Sequence, residues 1–585
     1  MYVVATAGHV DHGKSTLVQA LTGQDPDRLA AERRRGMSIE LGYCWTRLEG
    51  AGDVAFVDVP GHERFVSTML AGVGPVPAVL FVVAADDPWM PQAAEHLAAL
   101  HAFGVEHGVV ALTRADLADP APMLGLIRRE LAGTTLDGAT VVPVSARTGA
   151  GLDDLRAALV AMVRRLPAPA YDAPVRLWVD RRFTLPGAGT VVTGTLPAGR
   201  LRVGDELVCD GAVVRIRGLE MLGEPVAGAD AVARVALRLG GGAPDELGRG
   251  SALVQADQWE LTAEADVRVR GDDAVPEEPL LHLGSASVPV RARPLGGDLY
   301  RLRFARRLPL HVGDRAVLRD PGGRRLWGAL VLDPAPPALD RRGAARRRTV
   351  QLAMTTGEPN LADELRRRVV ARAADLERYG VPVVVESVAQ ICVRAGEWLL
   401  DRGAVPQLQS QLVEAVDSWA AAHPLDPAMP LTSLAPSLGL PTAELAAAIV
   451  PPPLRVEAGR VVRPRSGLPE VLEQALSQLE TDLRGQPFAA PDAARLAELG
   501  LDKAALAAAV KAGRLLRVAE GVVLLPGADE AAVEILRRLP QPFTTSEARV
   551  ALATSRRVAL PLLALLDVRR RTRRLPDDRR EMLPR

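Results

Sequence analysis

Apolar residues near the start of the chain come in short unbroken runs, set between amphipathic stretches. Val3 to Ala7, Val54 to Val59, Ala78 to Ala84, Gly108 to Leu112 and Val141 to Val144 have the length and β-branched content of buried strands. Between the first two, Ser15 to Leu21 places Leu17, Val18 and Leu21 on one helical face. Strands alternating with helices through residue 165 predict a doubly wound α/β domain over residues 1–170.

The pattern changes after the proline-containing linker Arg164 to Pro174. Arg176 to Val179, Thr190 to Leu196, Glu206 to Cys209, Val213 to Ile216 and Val232 to Leu237 alternate apolar with polar positions, and Gly or Pro interrupts every ten residues or so. That spacing predicts a β-barrel or sandwich over 171–258. A second set, from Ala263 to about Leu332, predicts another over 259–336 and ends in the Pro-rich Asp333 to Pro337. Beyond residue 340 the chain turns to Ala- and Leu-rich helices with brief strand pairs around Gly459, Gly521 and Asp577-Asp578. Each pair follows two or three short helices, as in a winged helix. The reading is an α+β array: two units in 337–465, a third in 466–528 and a fourth in 529–585.

At 585 residues the chain has room for three to five domains, and 48% hydrophobic with 24% charged residues excludes a mainly disordered protein. The longest apolar run, Ala78 to Ala85, is too short to cross a bilayer. Met1 to Ala5 has no basic leader, and three scattered cysteines (Cys44, Cys209, Cys392) offer neither a disulfide framework nor a metal cage. The expectation is a cytoplasmic, monomeric protein without a membrane partner. The balance of 71 basic against 71 acidic residues hides a split. Residues 551–585 hold ten Arg against four acids, whereas residues 1–170 are net acidic, so the tail is the end that would meet a polyanion.

Gly8-His9-Val10-Asp11-His12-Gly13-Lys14-Ser15 matches G-x-x-x-x-G-K-[ST] between a strand and a helix. In such a loop backbone N–H groups curl round a β-phosphate, Lys14 reaches the β and γ oxygens and the Ser15 hydroxyl ligates Mg²⁺. Lys14 is one of only three lysines in the chain, as expected where a compact ammonium is needed and a planar guanidinium does not fit. Asp58, at a strand end before Pro60-Gly61-His62, can hold Mg²⁺ through water, and the Gly61 N–H can meet a γ-phosphate. Asp116, in Thr113-Arg114-Ala115-Asp116, can accept from the N1 and N2 donors of guanine, which adenine does not offer. Ser145-Ala146-Arg147 follows the next strand.

Gly8 to Thr16, Arg35 to Ile39, Asp58 to His62, Thr113 to Asp116 and Ser145 to Arg147 together resemble the five signatures of translational GTPases. Within that superfamily, Ile39 to Gly42, Val59 to Phe65 and Pro174 to Thr195, with its Gly187 to Thr195 run, resemble the selenocysteine-specific elongation factors. Elongation factor Tu shares the first motif but stops after three domains, whereas this resemblance covers nearly the whole chain.

The resemblance implies a GTPase that binds GTP and GDP with Mg²⁺, carries selenocysteinyl-tRNA to the ribosome at UGA codons and holds a selenoprotein mRNA hairpin. It implies that His62 orients the attacking water behind an apolar gate of Val10 and Met37, that Ser38 joins Ser15 and Asp58 at the metal, and that Asp11 helps bind a monovalent cation. It maps the aminoacyl pocket onto Asp180, Arg181 and Arg234. Two positions depart from the family pattern: Ser38 stands for threonine, and Arg114 for the lysine of the guanine motif, where its guanidinium could still lie over the base.

In the last unit, Thr545-Ser546 and Thr554-Ser555 are expected to cap successive helices, the second with Pro561 in its interior. Arg556 and Arg557 on its first turn, and Arg573 and Arg574 in the wing, are the expected RNA contacts. Two other readings stay open at this point. One is a GTP-switched regulator whose tail binds DNA or protein, and the other is a carrier of ordinary aminoacyl- or initiator tRNA.

Overall fold

The computed structural model describes residues 1–584 apart from 27–37, 186–188, 242–243, 245, 272, 385–388, 425 and 464–469. Arg35 to Met37, Gly187, Ala188 and the expected boundary at 465–466 thus lie outside the described residues. The chain forms two compact units, one of residues 1–392 with 397–401, the other of 393–396 with 402–585.

The first unit begins with β1 (Tyr2–Gly8), β2 (Gly42–Leu48), β3 (Gly52–Asp58), β4 (Ala78–Ala84), β5 (His107–Thr113) and β6 (Thr140–Pro143), in the order β2-β3-β1-β4-β5-β6. Only β2 is antiparallel to its neighbour. Strand alternation explains why the runs read as unbroken. Val3, Ala5 and Ala7 enter one core layer with Met69 and Leu100, while Val4 enters the opposite layer with Leu17, Val18 and Leu159. β1 lies between β3 and β4, so the order reverses beside it and a crevice opens at its carboxyl end, where the Gly8 to Ser15 loop begins.

Nine strands follow: β7 (Arg176–Leu185), β8 (Gly189–Leu196), β9 (Arg200–Arg202), β10 (Glu206–Cys209), β11 (Ala212–Met221), β12 (Glu224–Val226), β13 (Gly228–Asp230), β14 (Ala233–Gly241) and β15 (Ala252–Val254). β10 pairs with both β15 and β11, which closes the order β10-β15-β7-β8-β14-β11 into a barrel. β12 adds to β11, and β9 pairs with β13. Ala233, Val235, Leu237 and Leu239 of β14 point inward at every second position. The second barrel is β16 (Glu260–Arg270), β17 (Leu280–Leu283), β18 (Ala286–Gly296), β19 (Leu299–Leu310), β20 (Arg315–Arg319) and β21 (Leu326–Asp333), closed as β16-β19-β18-β17-β20-β21. Barrel, not sandwich, is the outcome for both. Helices Ala344–Leu352, Leu361–Arg368 and Ala373–Arg378 follow in this unit, with the paired strands Val370–Arg372 and Trp398–Asp401, and Leu361, Leu365 and Leu376 pack around Val312 of the second barrel.

The second unit repeats a plan of helices followed by a hairpin. Helices Glu470–Gly485, Ala493–Glu498 and Lys503–Lys511 precede the pair Leu516–Ala519 and Val522–Leu524. Helices Ala528–Leu536, Thr545–Ala551 and Arg556–Val568 precede Thr572–Arg574 and Arg580–Met582, and one core holding Leu476, Leu524, Leu536 and Leu562 serves both sets. The cap of helix Thr545–Ala551 is Thr544, one residue before the expected Thr545-Ser546. Its hydroxyl accepts from Glu547 N at 3.2 Å and its own N–H donates to the Glu547 carboxylate at 2.6 Å, and only Thr544 has a glutamate at the spacing this reciprocal cap needs. Ser555 stands at the start of the last helix without a side-chain cap, while the Thr554 hydroxyl donates to the Phe488 carbonyl. Pro561 lies inside that helix, as expected.

Candidate functional site

The loop after β1 turns on left-handed backbone at Asp11 (φ 64°) and Gly13 (φ 83°), which aims its N–H groups into a cavity of about 490 Å³. Lys14 is buried, and its ammonium donates to the carbonyls of His9 at 2.7 Å and Gly8 at 3.1 Å. The cavity is lined by Val10, Asp11, Gly13, Lys14, Ser15, Thr16, Ser38, Gly61, Thr113, Arg114, Asp116, Leu117, Ser145, Ala146 and Arg147. Five separated sequence segments therefore meet at one crevice. Gly8, His12 and Asp58 of the expected set stand behind it.

Each of those three has a supporting task. Gly8 N donates to Nδ1 of His96 at 2.9 Å, and burial holds His96 neutral, with its pKa lowered to about 3. His12 is fully buried beside Asp87, and burial lowers its pKa to about 4. The Thr113 hydroxyl donates to its carbonyl at 2.7 Å. Asp58 accepts from the Thr6 hydroxyl at 2.6 Å and the Ser15 hydroxyl at 2.7 Å, and Ser15 lies 3.1 Å from the Ser38 hydroxyl. Three oxygens from three segments thus converge, and an all-oxygen set with one carboxylate fits Mg²⁺ better than a softer metal.

Two expected roles take a different geometry. Arg114 sits at φ 56° and reaches across to both oxygens of Asp86 at 3.2 Å and to the Asp11 carbonyl, so its guanidinium ties the guanine motif to the phosphate loop. Asp116 is held below the usual carboxylate range, first by the Ser145 hydroxyl and further by Arg147, whose Nε lies 3.3 Å away. His62 does not line the cavity. Its Nδ1 accepts from Arg64 N at 3.2 Å at the head of the turn Glu63–Phe65, which leaves the proton of a neutral ring on Nε2.

A second cavity, of about 240 Å³, opens between β2 and the first barrel and is lined by Tyr43, Trp45, Phe183, Thr193, Arg181 and Arg234, among others. Asp180 does not pair with its neighbour Arg181. It takes a bidentate contact from Arg234, two strands over on β14, and accepts from the Thr193 hydroxyl at 2.7 Å. Arg181 instead meets the Leu41 carbonyl and lies 3.5 Å from Glu40. The Tyr43 ring lies under both guanidiniums, 3.8 Å from that of Arg234 and 4.9 Å from that of Arg181. Arg181 and Arg234 thus share one cavity, and Asp180 backs it.

The family profile of the elongation factor Tu GTP binding domain matches residues 1–165, and that of the elongation factor SelB winged helix matches 534–580. The selenocysteine-specific elongation factor of Escherichia coli is 35% identical over 448 residues, 73% of this chain and 71% of that one. The chain belongs to the selenocysteine-specific elongation factors. The Desulfomicrobium baculatum member is 36% identical over 62% of this chain, which spans 61% of that protein's length. A crystal structure of a bacterial selenocysteine-specific elongation factor superposes over 100% of both chains with a TM-score of 0.68 and 25% identity. That of elongation factor SelB from Methanococcus maripaludis, at 24% identity and a TM-score of 0.52 over 58% of this chain and 80% of that one, shares the fold.

In this elongation factor the tail arginines divide. Arg557 donates to the carbonyls of Ala490 at 2.7 Å, Pro491 at 2.8 Å and Gly521 at 3.3 Å, so its fork ties the last helix to the preceding hairpin. Arg573 pairs with Glu581 and Arg574 with Asp578, whereas Arg556 stands exposed on the first turn. Reading residues by spacing missed Tyr43, His96, Thr6 and Leu117. Only Leu117, directly after Asp116, had a sequence signal.

Proposed function

We propose that this chain hydrolyses GTP while delivering selenocysteinyl-tRNA to ribosomes at UGA codons, held near the codon by an mRNA hairpin on its last winged helix. The observation that carries this reading is the cavity where Arg181 and Arg234 converge over Tyr43. A selenol is ionised at neutral pH, whereas a serine hydroxyl and nearly all of a cysteine thiol are not. Guanidiniums in a partly dry pocket favour the selenolate by charge, which neutral donors cannot do. Asp180 offsets Arg234 from within the barrel, whereas Glu40, 3.5 Å from Arg181 and more than half exposed, is screened by solvent and offsets Arg181 only in part. A GTP-switched regulator would have no use for such a cavity.

GTP and GDP occupy the larger cavity, with the guanine on Asp116. Ser15 and Ser38 would hold Mg²⁺, with Asp58 acting through water, and the ion would supply charge neutralisation to the phosphates. Asp11 is the position for a monovalent cation, and Val10 with Met37 gates His62. The factor works as a cytoplasmic monomer. Among the described residues no helix is long and apolar enough to cross a membrane.

Arg181→Ala tests the reading. Loss of one charge-assisted contact to a desolvated anion costs about 1.5–3 kcal/mol, so selenocysteinyl-tRNA should bind roughly tenfold or more weakly while seryl-tRNA changes little. Equal losses for both cargoes would remove the pocket from cargo choice. Arg234→Ala is the poorer test, because it leaves the buried Asp180 carboxylate without its ion pair and destabilises the barrel.

A further inference from the structure

Away from both sites, where helix Leu361–Arg368 meets the second barrel, lies a third cavity of about 520 Å³ whose wall carries Arg348, Arg367, Arg368 and Arg372 together with Tyr379 and Trp398. The carboxylates that neutralise the first three do not line it. Asp266 accepts from Arg348 at 2.6 Å, Asp333 takes Arg348, Arg367 and Arg368, and Glu364 takes Arg367 and Arg368, all from behind. Among the described residues Asp375 is the one acid in the wall, and Arg378 already pairs with it. The cavity is therefore faced by guanidiniums and backed by acids.

Three further features mark it as built for a ligand. Nε of Arg367, on a side chain only 4% exposed, has no acceptor among the described residues. Arg368 lies 4.6 Å from the Tyr379 ring and Arg372 4.8 Å from the Trp398 ring, giving two cation–aromatic stacks on one rim. Val369, between the buried arginines and that rim, is held at φ 67°, a left-handed backbone that a β-branched residue adopts only under strain.

We infer that this cavity binds the phosphate of a nucleotide, with the base against the Arg372–Trp398 stack. Forked guanidiniums match phosphate oxygens, and stacked aromatic and guanidinium planes accept a base face of any sequence. The volume falls within the range of small-molecule sites. Such a nucleotide can be free or part of an RNA strand, and the binding chemistry is shared.

The full-length protein, with its GTP site filled by GDP and Mg²⁺, would be irradiated with two photoactive probes. These are 4-thiouridine monophosphate and a short single-stranded RNA carrying 4-thiouridine, and crosslinked peptides would be mapped by mass spectrometry. We expect crosslinks on the peptides bearing Tyr379 or Trp398, reduced about tenfold by Arg372→Glu and retained by Arg372→Lys. Arg372 is half exposed and only loosely paired with Glu397 at 3.6 Å, so the buried ion network survives its loss, which a thermal melt of each variant checks. Labelling by the RNA alone identifies a strand as the ligand, and labelling by both probes a free nucleotide. Absence of label from both, or label that persists in Arg372→Glu, overturns the inference.

Discussion

Lys14 shows how one residue escapes the arginine bias of this chain. Its ammonium fits between the carbonyls of Gly8 and His9, and Gly61 packs so close that a Cβ there would come within 2.5 Å of both Lys14 Nζ and Val10 N. A branched guanidinium has no room, and neither has alanine at position 61. His62, one residue on, heads the turn Glu63–Phe65 and does not line the cavity, so its removal is expected to spare nucleotide binding. His62→Ala should leave GTP affinity nearly unchanged while ribosome-stimulated hydrolysis falls by roughly two or more orders of magnitude, the scale of losing a water-positioning group. Single-turnover hydrolysis on ribosomes measures this, and undiminished turnover would exclude His62 from the chemistry.

At the scale of elements, the barrels reach into the segments that flank the nucleotide. Arg324, in the loop joining β20 to β21, pairs with Glu63 beside His62, and Arg249 donates to the Ser67 carbonyl at 2.9 Å and the Thr68 hydroxyl at 3.1 Å. Both partners of the Arg324 pair are exposed, so it is worth about 0–1 kcal/mol. Arg324→Ala should accordingly slow stimulated hydrolysis by up to about fivefold without changing GDP affinity, since the pair touches the turn and not the cavity. A changed GDP affinity would place the effect elsewhere. In the tail, Arg557→Ala removes three bonds to carbonyls and should destabilise the last winged helix by about 1–3 kcal/mol in a denaturant titration. Arg556→Ala should leave that stability intact and reduce the salt slope of hairpin binding by about 1. The reverse pattern would mean that Arg557 is the RNA contact.

For the molecule as a whole, acid is the condition that reads its burial. His12, His282 and His311 have pKa values lowered to about 4 and His96 to about 3, in each case first by burial. Unfolding restores them to about 6.5, so the unfolded chain binds more protons between those limits. The stability they protect is full above pH 6.5 and is lost as pH falls towards 4. The first unit should melt several degrees lower at pH 5 than at pH 7, and His282→Leu, which removes one such group from the second barrel, should flatten the profile. A melting temperature independent of pH over this range would contradict the burial.

Local chemistry accounts for what could be read before folding. A glycine-flanked lysine and serine between strand and helix, a carboxylate at a strand end and an aspartate just past another strand each need only a few consecutive residues, so their meeting at or behind one cavity was legible, as were the alternating runs that became barrels. The caps were legible to within one residue, because Thr544, Thr545 and Ser546 all offer a hydroxyl and only the geometry at Glu547 chooses among them. Tertiary structure alone decided the partners. Asp180 stands beside Arg181 in sequence but binds Arg234, 54 residues on, because the register shift between Val179 and Arg181 breaks the strand's alternation at Asp180 and the order β7-β8-β14 brings Asp180, Thr193 and Arg234 together. Tyr43 meets two barrel arginines, His96 holds the phosphate loop from 88 residues away, and Arg557 is spent on carbonyls of the preceding helix-and-hairpin set. Such contacts leave no period or spacing in the chain, since the distance that makes them exists only after folding.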